Sequence, residues 1–162
     1  MTNIRVGTGY DVHRLEAGLP FILGGIEIDY HKGMVAHSDG DVLLHAVCDA
    51  LLGAAALGDI GHIFPDDDPK NQNMDSSLIV DTVLARLGKL SYQLINLDIT
   101  IILEKPKLQS LISRIRKSVA TLLKVSIDQV SIKATTSEKM GFIGKEEGIA
   151  CYATVLIEKD KL

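Results

Sequence analysis

The sequence predicts an α+β domain: a mixed α/β arrangement in which a four-stranded, mainly antiparallel or mixed sheet carries helices on one face. Three observations predict it. Leu97 to Leu103 and Val130 to Thr135 alternate apolar and polar residues, as half-buried strands require. Asp39 to Leu57 and Leu108 to Lys124 space their apolar residues three and four apart, as helices facing a core require. The elements read β–β–α–α–β–α–β–β, with helices too few to cover both faces of a sheet.

Taken in order, Ile4 to Val12 alternates loosely and reads as a strand. Phe21 to Ile28 holds Gly24-Gly25 between apolar pairs and predicts a hairpin or bent strand pair. His31 to Ser38 reads as loop. Asp39 to Leu57 places Leu43, Val47, Ala50, Leu51 and Ala54 at helical spacing, and Gly58-Asp59-Ile60-Gly61 ends it with turn chemistry. Phe64 to Asn73 reads as loop, and Asp75-Ser76-Ser77 caps a helix through Leu87. A strand with Leu97, Ile99, Ile101 and Leu103 on one face follows, then a helix with Leu108, Leu111, Ile112, Ile115, Val119 and Leu122 on one face. Val130, Ile132 and Ala134 alternate with Ser131, Lys133 and Thr135 in the next strand. In the last, Gly148 to Glu158, residues Ile149, Cys151, Ala153, Val155 and Ile157 face one way and Ala150, Tyr152 and Leu156 the other. Helices cover only one side, so the second apolar side is expected to meet other subunits. Enclosure as a central strand of one domain is the alternative.

A chain of 162 residues suffices for one domain with its own core. The net charge of −4 argues against nucleic-acid binding through a general basic surface. No apolar run approaches the roughly 20 residues that span a membrane. No charged stretch followed by an apolar one opens the chain, so a cytoplasmic protein without a secretory leader is expected. Cys48 and Cys151 stand far apart in apolar contexts and read as buried thiols rather than a disulfide.

The most informative residues are Asp11-Val12-His13 and His45. Side chains at i and i+2 of a strand share a face, so Asp11 and His13 converge at the end of the first strand, and the helix beside it can deliver His45. Two imidazoles and one carboxylate leave a fourth position open, the ligand set of a catalytic zinc site. Coincidence of a structural histidine with polar residues at a strand end is the alternative. Asp41, His45 and Asp49 repeat every fourth residue, so Asp41 or Asp49 is placed to hold the free imidazole N–H of His45; otherwise the three form a solvated stripe. Gly7-Thr8-Gly9 lacks the third glycine and following helix of a dinucleotide fingerprint. His37-Ser38-Asp39-Gly40-Asp41 opens the helix, whose N–H groups suit an anion, with Ser38 or Asp39 as cap. Lys133 to Phe142 ends a strand with three hydroxyls, turn N–H groups and Glu138. These suit phosphate oxygens and a hard cation bound to phosphates, although polar junctions of this kind are also common. Asp66-Asp67-Asp68 reads as a solvated acidic loop, and Glu104-Lys105-Pro106-Lys107 as a turn or a ligand loop.

Gly9-Tyr10-Asp11-Val12-His13, Ala36 to Asp41, Asp49 to Ala55, Gly58 to Gly61, Phe64-Pro65-Asp66, Lys133 to Thr136 and Gly148-Ile149-Ala150 occur in order along the chain. Together they resemble the 2-C-methyl-D-erythritol 2,4-cyclodiphosphate synthase family over essentially its whole length. The resemblance implies one cyclodiphosphate-synthase domain over residues 1–162. It implies a phosphorus–oxygen lyase of the non-mevalonate isoprenoid route. Such an enzyme cyclises 4-diphosphocytidyl-2-C-methyl-D-erythritol 2-phosphate and releases CMP. It implies a homotrimer with active sites at subunit interfaces and the second sheet face packed around the trimer axis.

Carried onto this sequence, the resemblance makes Asp11, His13 and His45 zinc ligands, with Glu138 on a second cation, Mg2+ or Mn2+. His37 and Thr136 stabilise the transition state. Val12 and Ser38 join the zinc ligands and His37 in contacting substrate. Asp59, Ile60, Gly61, Phe64, Pro65, Asp66, Asp67 and Asp68 hold the methylerythritol part. Leu103, Glu104, Lys105, Pro106, Lys107, Leu108 and Gln109, with Ala134, Thr135 and Thr136, hold the cytidine part. Ser137, Glu138, Phe142 and Lys145 complete the binding set. Lys145 faces the central cavity, open to an isoprenoid diphosphate, where the family often has arginine; lysine keeps the charge but loses the planar fork. Around Leu103 to Gln109 only Pro106-Lys107 follows the family. Two rivals remain: a zinc phosphohydrolase using the open metal position for hydroxide, and a non-enzymatic trimeric module taking an anionic lipid.

Overall fold

A computed structural model describes residues 3–65 and 69–159. Strand β1, Ile4–Ala17, is followed by the hairpin of β2, Phe21–Leu23, and β3, Ile26–Ile28, then by β4, Lys32–Val35. Helix α1, Val42–Ala54, two short 3-10 turns and α2, Ser76–Lys89, lead to β5, Tyr92–Ile102. Then come α3, Ile112–Leu122, β6, Val130–Thr135, the short α4, Gly141–Gly144, and β7, Gly148–Lys159.

Among the described residues one mixed sheet has five strands in the order β4-β1-β7-β5-β6. Every pairing is antiparallel except β5 with β6, which are parallel and joined through α3, as a parallel pair needs a crossover. The fifth strand is β4, in the segment that reads as loop. Its four residues include Gly33 and show no alternation, yet they pair with Arg14 to Ala17. That pairing also explains why β1 runs on past His13, so Asp11 and His13 lie inside a strand rather than at its end. The hairpin is as the glycines predict: Gly24 and Gly25 take φ of +63° and +75°, which a two-residue turn needs at both positions. Strand β5 starts at Tyr92, ahead of the expected Leu97, and a register shift between Leu94 and Asn96 interrupts the alternation in that stretch. Helix α3 starts at Ile112, after a turn closed by Leu111 N–H on the Leu108 carbonyl. The four-residue α4 holds two glycines and too little length for a periodic signal.

The helices lie on one face of the sheet. Helix α1 packs on β1 and β7, with α2 against β5 and α3 against β6. The α1 residues from Val42 to Cys48, with Ala50 to Leu52, are buried, so this helix is the centre of the core rather than an amphipathic surface helix. Its close approach depends on Gly7 and Gly9 of β1, whose missing side chains would meet the α1 backbone. The glycine pair that fails as a dinucleotide fingerprint is therefore a packing device. On the opposite sheet face Val6, Tyr10 and Val12 of β1 and Tyr152 of β7 are exposed, and the rings of Tyr10 and Tyr152 lie 4.6 Å apart.

Asp41 caps α1, in place of the expected Ser38 or Asp39. Its Oδ1 accepts from Leu44 N–H at 3.0 Å and its Oδ2 from Gly25 N–H at 2.6 Å. Burial pushes this carboxyl up to about 6 against those backbone donors. Asp41 thus takes one free N–H of the helix N-terminus, that of Leu44, with a carboxylate of the protein's own.

Candidate metal centre and substrate pockets

Asp11 and His13 project from the inner face of β1, and α1 brings His45 against them. His13 Nε2 lies 3.1 Å from Asp11 Oδ2, His45 Nδ1 lies 3.0 Å from Asp11 Oδ2, and the two ring nitrogens are 3.2 Å apart. Ligands of a tetrahedral zinc with bonds of 2.0–2.1 Å stand about 3.3 Å from one another, so the three donor atoms fit one face of such a tetrahedron. Among the described residues they are the group of His, Cys, Asp or Glu side chains close enough to hold a metal ion. Burial pushes the Asp11 carboxyl up, but hydrogen bonds from His13 and His45 outweigh it and hold it well below the usual carboxylate range. Burial pulls His45 down, yet Asp11 against Nδ1 outweighs that and the net direction is up. The cluster is therefore built to hold positive charge, as a proton or as a cation.

The second nitrogen of His45 has different partners from those expected. Nε2 lies 3.0 Å from Ser76 Oγ and 3.2 Å from Ser38 Oγ. Neither acidic neighbour on the helix reaches it. Asp41 is spent on the cap, and Asp49 Oδ1 accepts from Ile60 N–H at 2.8 Å, which fixes the turn carrying Ile60 and Gly61. The fourth-residue spacing is correct, but α1 is enclosed and its two acidic side chains bond to other segments instead.

The triad opens onto a cavity of about 340 Å3 that His37, Ser38, Ile60, Gly61 and Phe64 help to line, within the size range of ligand pockets. Asn71, Met74 and Ile79 also line it; nothing in their sequence context marked them. The Val12 side chain is on the outer sheet face, and its N–H donates to Asp11 Oδ1 at 2.8 Å. Asp59 is engaged with His62 Nδ1 at 2.8 Å. Asp66, Asp67 and Asp68 lie outside the described residues.

A second cavity, of about 490 Å3, is lined by Leu103, Pro106, Lys107, Leu108, Gln109, Ala134, Thr135 and Thr136, with Ile112. Glu104 and Lys105 turn away from it. Lys105 Nζ pairs with Glu146 Oε1 at 3.4 Å. Glu104 Oε1 accepts from Ser137 N–H at 3.0 Å, Ser137 Oγ at 3.2 Å and Lys139 N–H at 3.1 Å. These donors hold Glu104 below the usual carboxylate range, the Lys139 N–H first among them. They also brace a turn in which Glu138 and Lys139 take φ of +54° and +63°, the left-handed region that costs a side-chain-bearing residue about 1 kcal/mol. Glu138 Oε1 accepts from Thr136 Oγ1 at 3.3 Å. Phe142 and Lys145, on and just after α4, are exposed.

The two cavities share no lining residue. Asp11 stands opposite Cys151, Cys151 opposite Ile101, and Ile101 opposite Ala134. Three strand spacings put the triad and the Thr135 end of β6 about 14 Å apart at one level of the sheet. Within the chain, His37 and the triad therefore lie apart from Thr136 and Glu138.

The sequence pattern of the YgbB family matches residues 4–158. The 2-C-methyl-D-erythritol 2,4-cyclodiphosphate synthase of Idiomarina loihiensis is 53% identical over 155 residues, covering 96% of this chain and 98% of that protein. Among solved structures, the bifunctional IspDF from Campylobacter jejuni superposes with a TM-score of 0.95 at 38% identity, covering 99% of this chain and 44% of that one. The IspF (Plasmodium falciparum) CDP complex superposes at 0.87 with 32% identity, covering 98% of both chains. With the family pattern matched over residues 4–158 and the fold in agreement, this chain belongs to the YgbB family.

Proposed function

We propose that residues 1–162 form one cyclodiphosphate-synthase domain. It converts 4-diphosphocytidyl-2-C-methyl-D-erythritol 2-phosphate to 2-C-methyl-D-erythritol 2,4-cyclodiphosphate and releases CMP, as a phosphorus–oxygen lyase. The observation that carries the reading is the Asp11, His13 and His45 triangle, 3.0–3.2 Å on each edge, opening into a cavity of about 340 Å3. The names of its relatives support the substrate, and the CDP complex of the Plasmodium protein supports a cytidine nucleotide as ligand.

Two nitrogen donors, one oxygen donor and a free corner fit zinc in its catalytic form. Glu138, one exposed carboxylate, fits magnesium or manganese, which take one or two carboxylates and share the rest of their shell with phosphates. When bound, these ions supply Lewis-acid polarisation at phosphorus and offset the charge of three phosphoryl groups. The chain's own residues do the rest. The 2-phosphate is already an anionic nucleophile, so no side chain need remove a proton from it. The cavity walls fold the substrate so that this phosphate lies in line with the diphosphate. That makes the step intramolecular, with effective molarities that reach about 10⁵ M or more. His37 and the Thr136 hydroxyl donate toward phosphoryl oxygens as charge grows there. Lys107 and the Leu103 to Gln109 turn hold the leaving CMP.

For this the two cavities must meet. We place His37 and the triad of one copy against Thr136 and Glu138 of another in a homotrimer. The support is the exposed apolar sheet face of Val6, Tyr10, Val12 and Tyr152 and the 14 Å gap within one protomer. Light scattering tests that state. Phe142 and Lys145 would then lie toward the shared axis, open to an isoprenoid diphosphate. Among the described residues no helix is long and apolar enough to cross a membrane, in keeping with a cytoplasmic enzyme.

The deciding experiment is incubation with the diphosphocytidyl substrate and magnesium, with and without a zinc chelator, read by phosphorus NMR. A cyclic diphosphate with CMP, lost on chelation, is expected. Linear phosphates would make the protein a hydrolase, and intact substrate would make it a binding module.

A further inference from the structure

Ser76 is the first residue of α2 and has no exposed surface. A hydroxyl there would ordinarily serve the helix cap. Here the cap is Asp75, whose carboxylate accepts from Ser77 N–H at 2.8 Å. The Ser76 hydroxyl points instead into the protein, between two groups from the other side of the cavity. Its Oγ lies 2.5 Å from Asp39 Oδ1 and 3.0 Å from His45 Nε2. The Asp39 carboxylate is anchored by two further donors, Ser76 N–H on Oδ2 at 2.9 Å and Asp41 N–H on Oδ1 at 3.1 Å.

The directions of these bonds follow from what each group can do. An ionised carboxylate only accepts, so the Ser76 proton goes to Asp39. The Ser76 oxygen then has only lone pairs left for His45, so His45 Nε2 must carry the hydrogen. A neutral imidazole has one N–H, so with a cation at the centre Nδ1 is bare; without one, Nδ1 carries the extra proton that Asp11 accepts. Nδ1 is the atom 3.0 Å from Asp11 Oδ2 and 3.2 Å from His13 Nε2. We infer that Ser76, relaying the charge of Asp39, is a positioning residue that fixes the His45 tautomer with its Nδ1 lone pair toward Asp11 and His13. The inference deepens the proposed zinc site and rests on it.

The relay also links the centre to the cavity wall. Asp39 N–H donates to the Met74 carbonyl at 3.0 Å and Asn73 N–H to the His37 carbonyl at 2.6 Å. The strand of chain entering α2 is therefore stitched to the one carrying His37 and Ser38. Ser38 Oγ, 3.2 Å from the same Nε2, is a second acceptor, but it accepts Gly40 N–H and, among the described residues, donates to no carboxylate. It gives the relay a partial substitute and no fixed polarity.

The test has two arms. In the zinc-loaded wild-type protein, nitrogen-15 correlation spectra of labelled histidine are expected to show His45 protonated on Nε2; a proton on Nδ1 overturns the inference without any variant. In the second arm, Ser76→Ala is expected to weaken zinc binding about 10-fold, measured by competition with a chromophoric chelator. Ser38→Ala with Ser76→Ala is expected to approach 100-fold, the range for loss of partners behind a metal-binding histidine. Melting of the zinc-free proteins separates this from misfolding. Wild-type zinc affinity in Ser76→Ala, with His45 still protonated on Nε2, overturns the role of Ser76 while leaving the metal site in place. A wild-type chain that binds no zinc overturns both.

Discussion

Gly9→Ala tests how far the metal centre depends on backbone packing rather than on its ligands. A Cβ built on Gly9 would fall 1.9 Å from the Ala46 carbonyl oxygen and 2.8 Å from Ala50 N. Both are backbone atoms of α1, so no side chain can swing away. To reach an ordinary contact of about 3.4 Å the helix must retreat by about 1.5 Å. His45 immediately precedes Ala46 and would move with it. The 3.0 and 3.2 Å separations of Nδ1 from Asp11 and His13 would then widen well past the about 3.3 Å edge that zinc requires. Overpacking of this kind costs typically 1–3 kcal/mol; backbone against backbone puts it at about 3 kcal/mol or beyond. In a chain of this size that lowers Tm by roughly 6–12 °C. Gly7→Ala meets the Ala50 carbonyl oxygen and Ala54 instead, a turn farther from His45. The expected pattern is a lower Tm in both zinc-free variants, by circular dichroism, with zinc affinity and turnover lost more steeply in Gly9→Ala. A Gly9→Ala protein that melts with the wild type and holds zinc as tightly would refute the argument, since the helix would then not be resting on that glycine.

Other consequences are open to simpler assays. His45→Ala is expected to abolish turnover and lose the bound zinc while the oligomer, followed by light scattering, persists. Glu138→Gln is expected to shift the magnesium or manganese titration of activity to higher concentration; an unchanged titration removes Glu138 from that role. Glu104→Ala frees the Ser137 and Lys139 N–H groups and is expected to raise KM for the cytidine substrate with a smaller loss in kcat, whereas Glu104→Gln, which keeps an acceptor oxygen, recovers most of it. Burial pushes the thiols of Cys48 and Cys151 up, with nearby aspartates adding to the shift. Neither is exposed, and reactivity resides in the thiolate. A disulfide-exchange reagent at pH 8 should therefore leave both untouched until denaturant is added.

Most of the fold was legible because period and punctuation agree. Gly24-Gly25, the Asp75-Ser76-Ser77 cap and the alternation from Leu97 to Leu103 each reappear as the element they imply. The failures share a cause: where the pairing partner, not the local pattern, decides the structure, the pattern is silent. Lys32–Val35 becomes a strand only because β1 extends far enough to pair with it. Residues 92–96 hide their strand because a bulge resets the alternation between Leu94 and Asn96. The burial of α1 on nearly every side was equally invisible, because a helix with Asp41, His45 and Asp49 in one row reads as amphipathic until the segments that bond to those side chains are in place.

The site divides along the same line. Asp11, His13 and His45 were legible because i, i+2 on a strand and one residue on a neighbouring helix are enough to make a triangle. What orients them was not, because Ser76 looks like one more polar residue at a helix start and Asp39 like one more turn residue. Only the fold shows that Asp75 has already capped α2, which releases Ser76 to face His45, and that Asp41 has capped α1, which releases Asp39 to face Ser76. Each aspartate cap displaces its neighbour from the ordinary helix-end role. The distance from Ser76 Oγ to His45 Nε2, 3.0 Å, is the result of two capping choices made on separate helices. Here that leaves the Ser76 hydroxyl and the Asp39 carboxylate free to hold the ring of His45, one turn into α1.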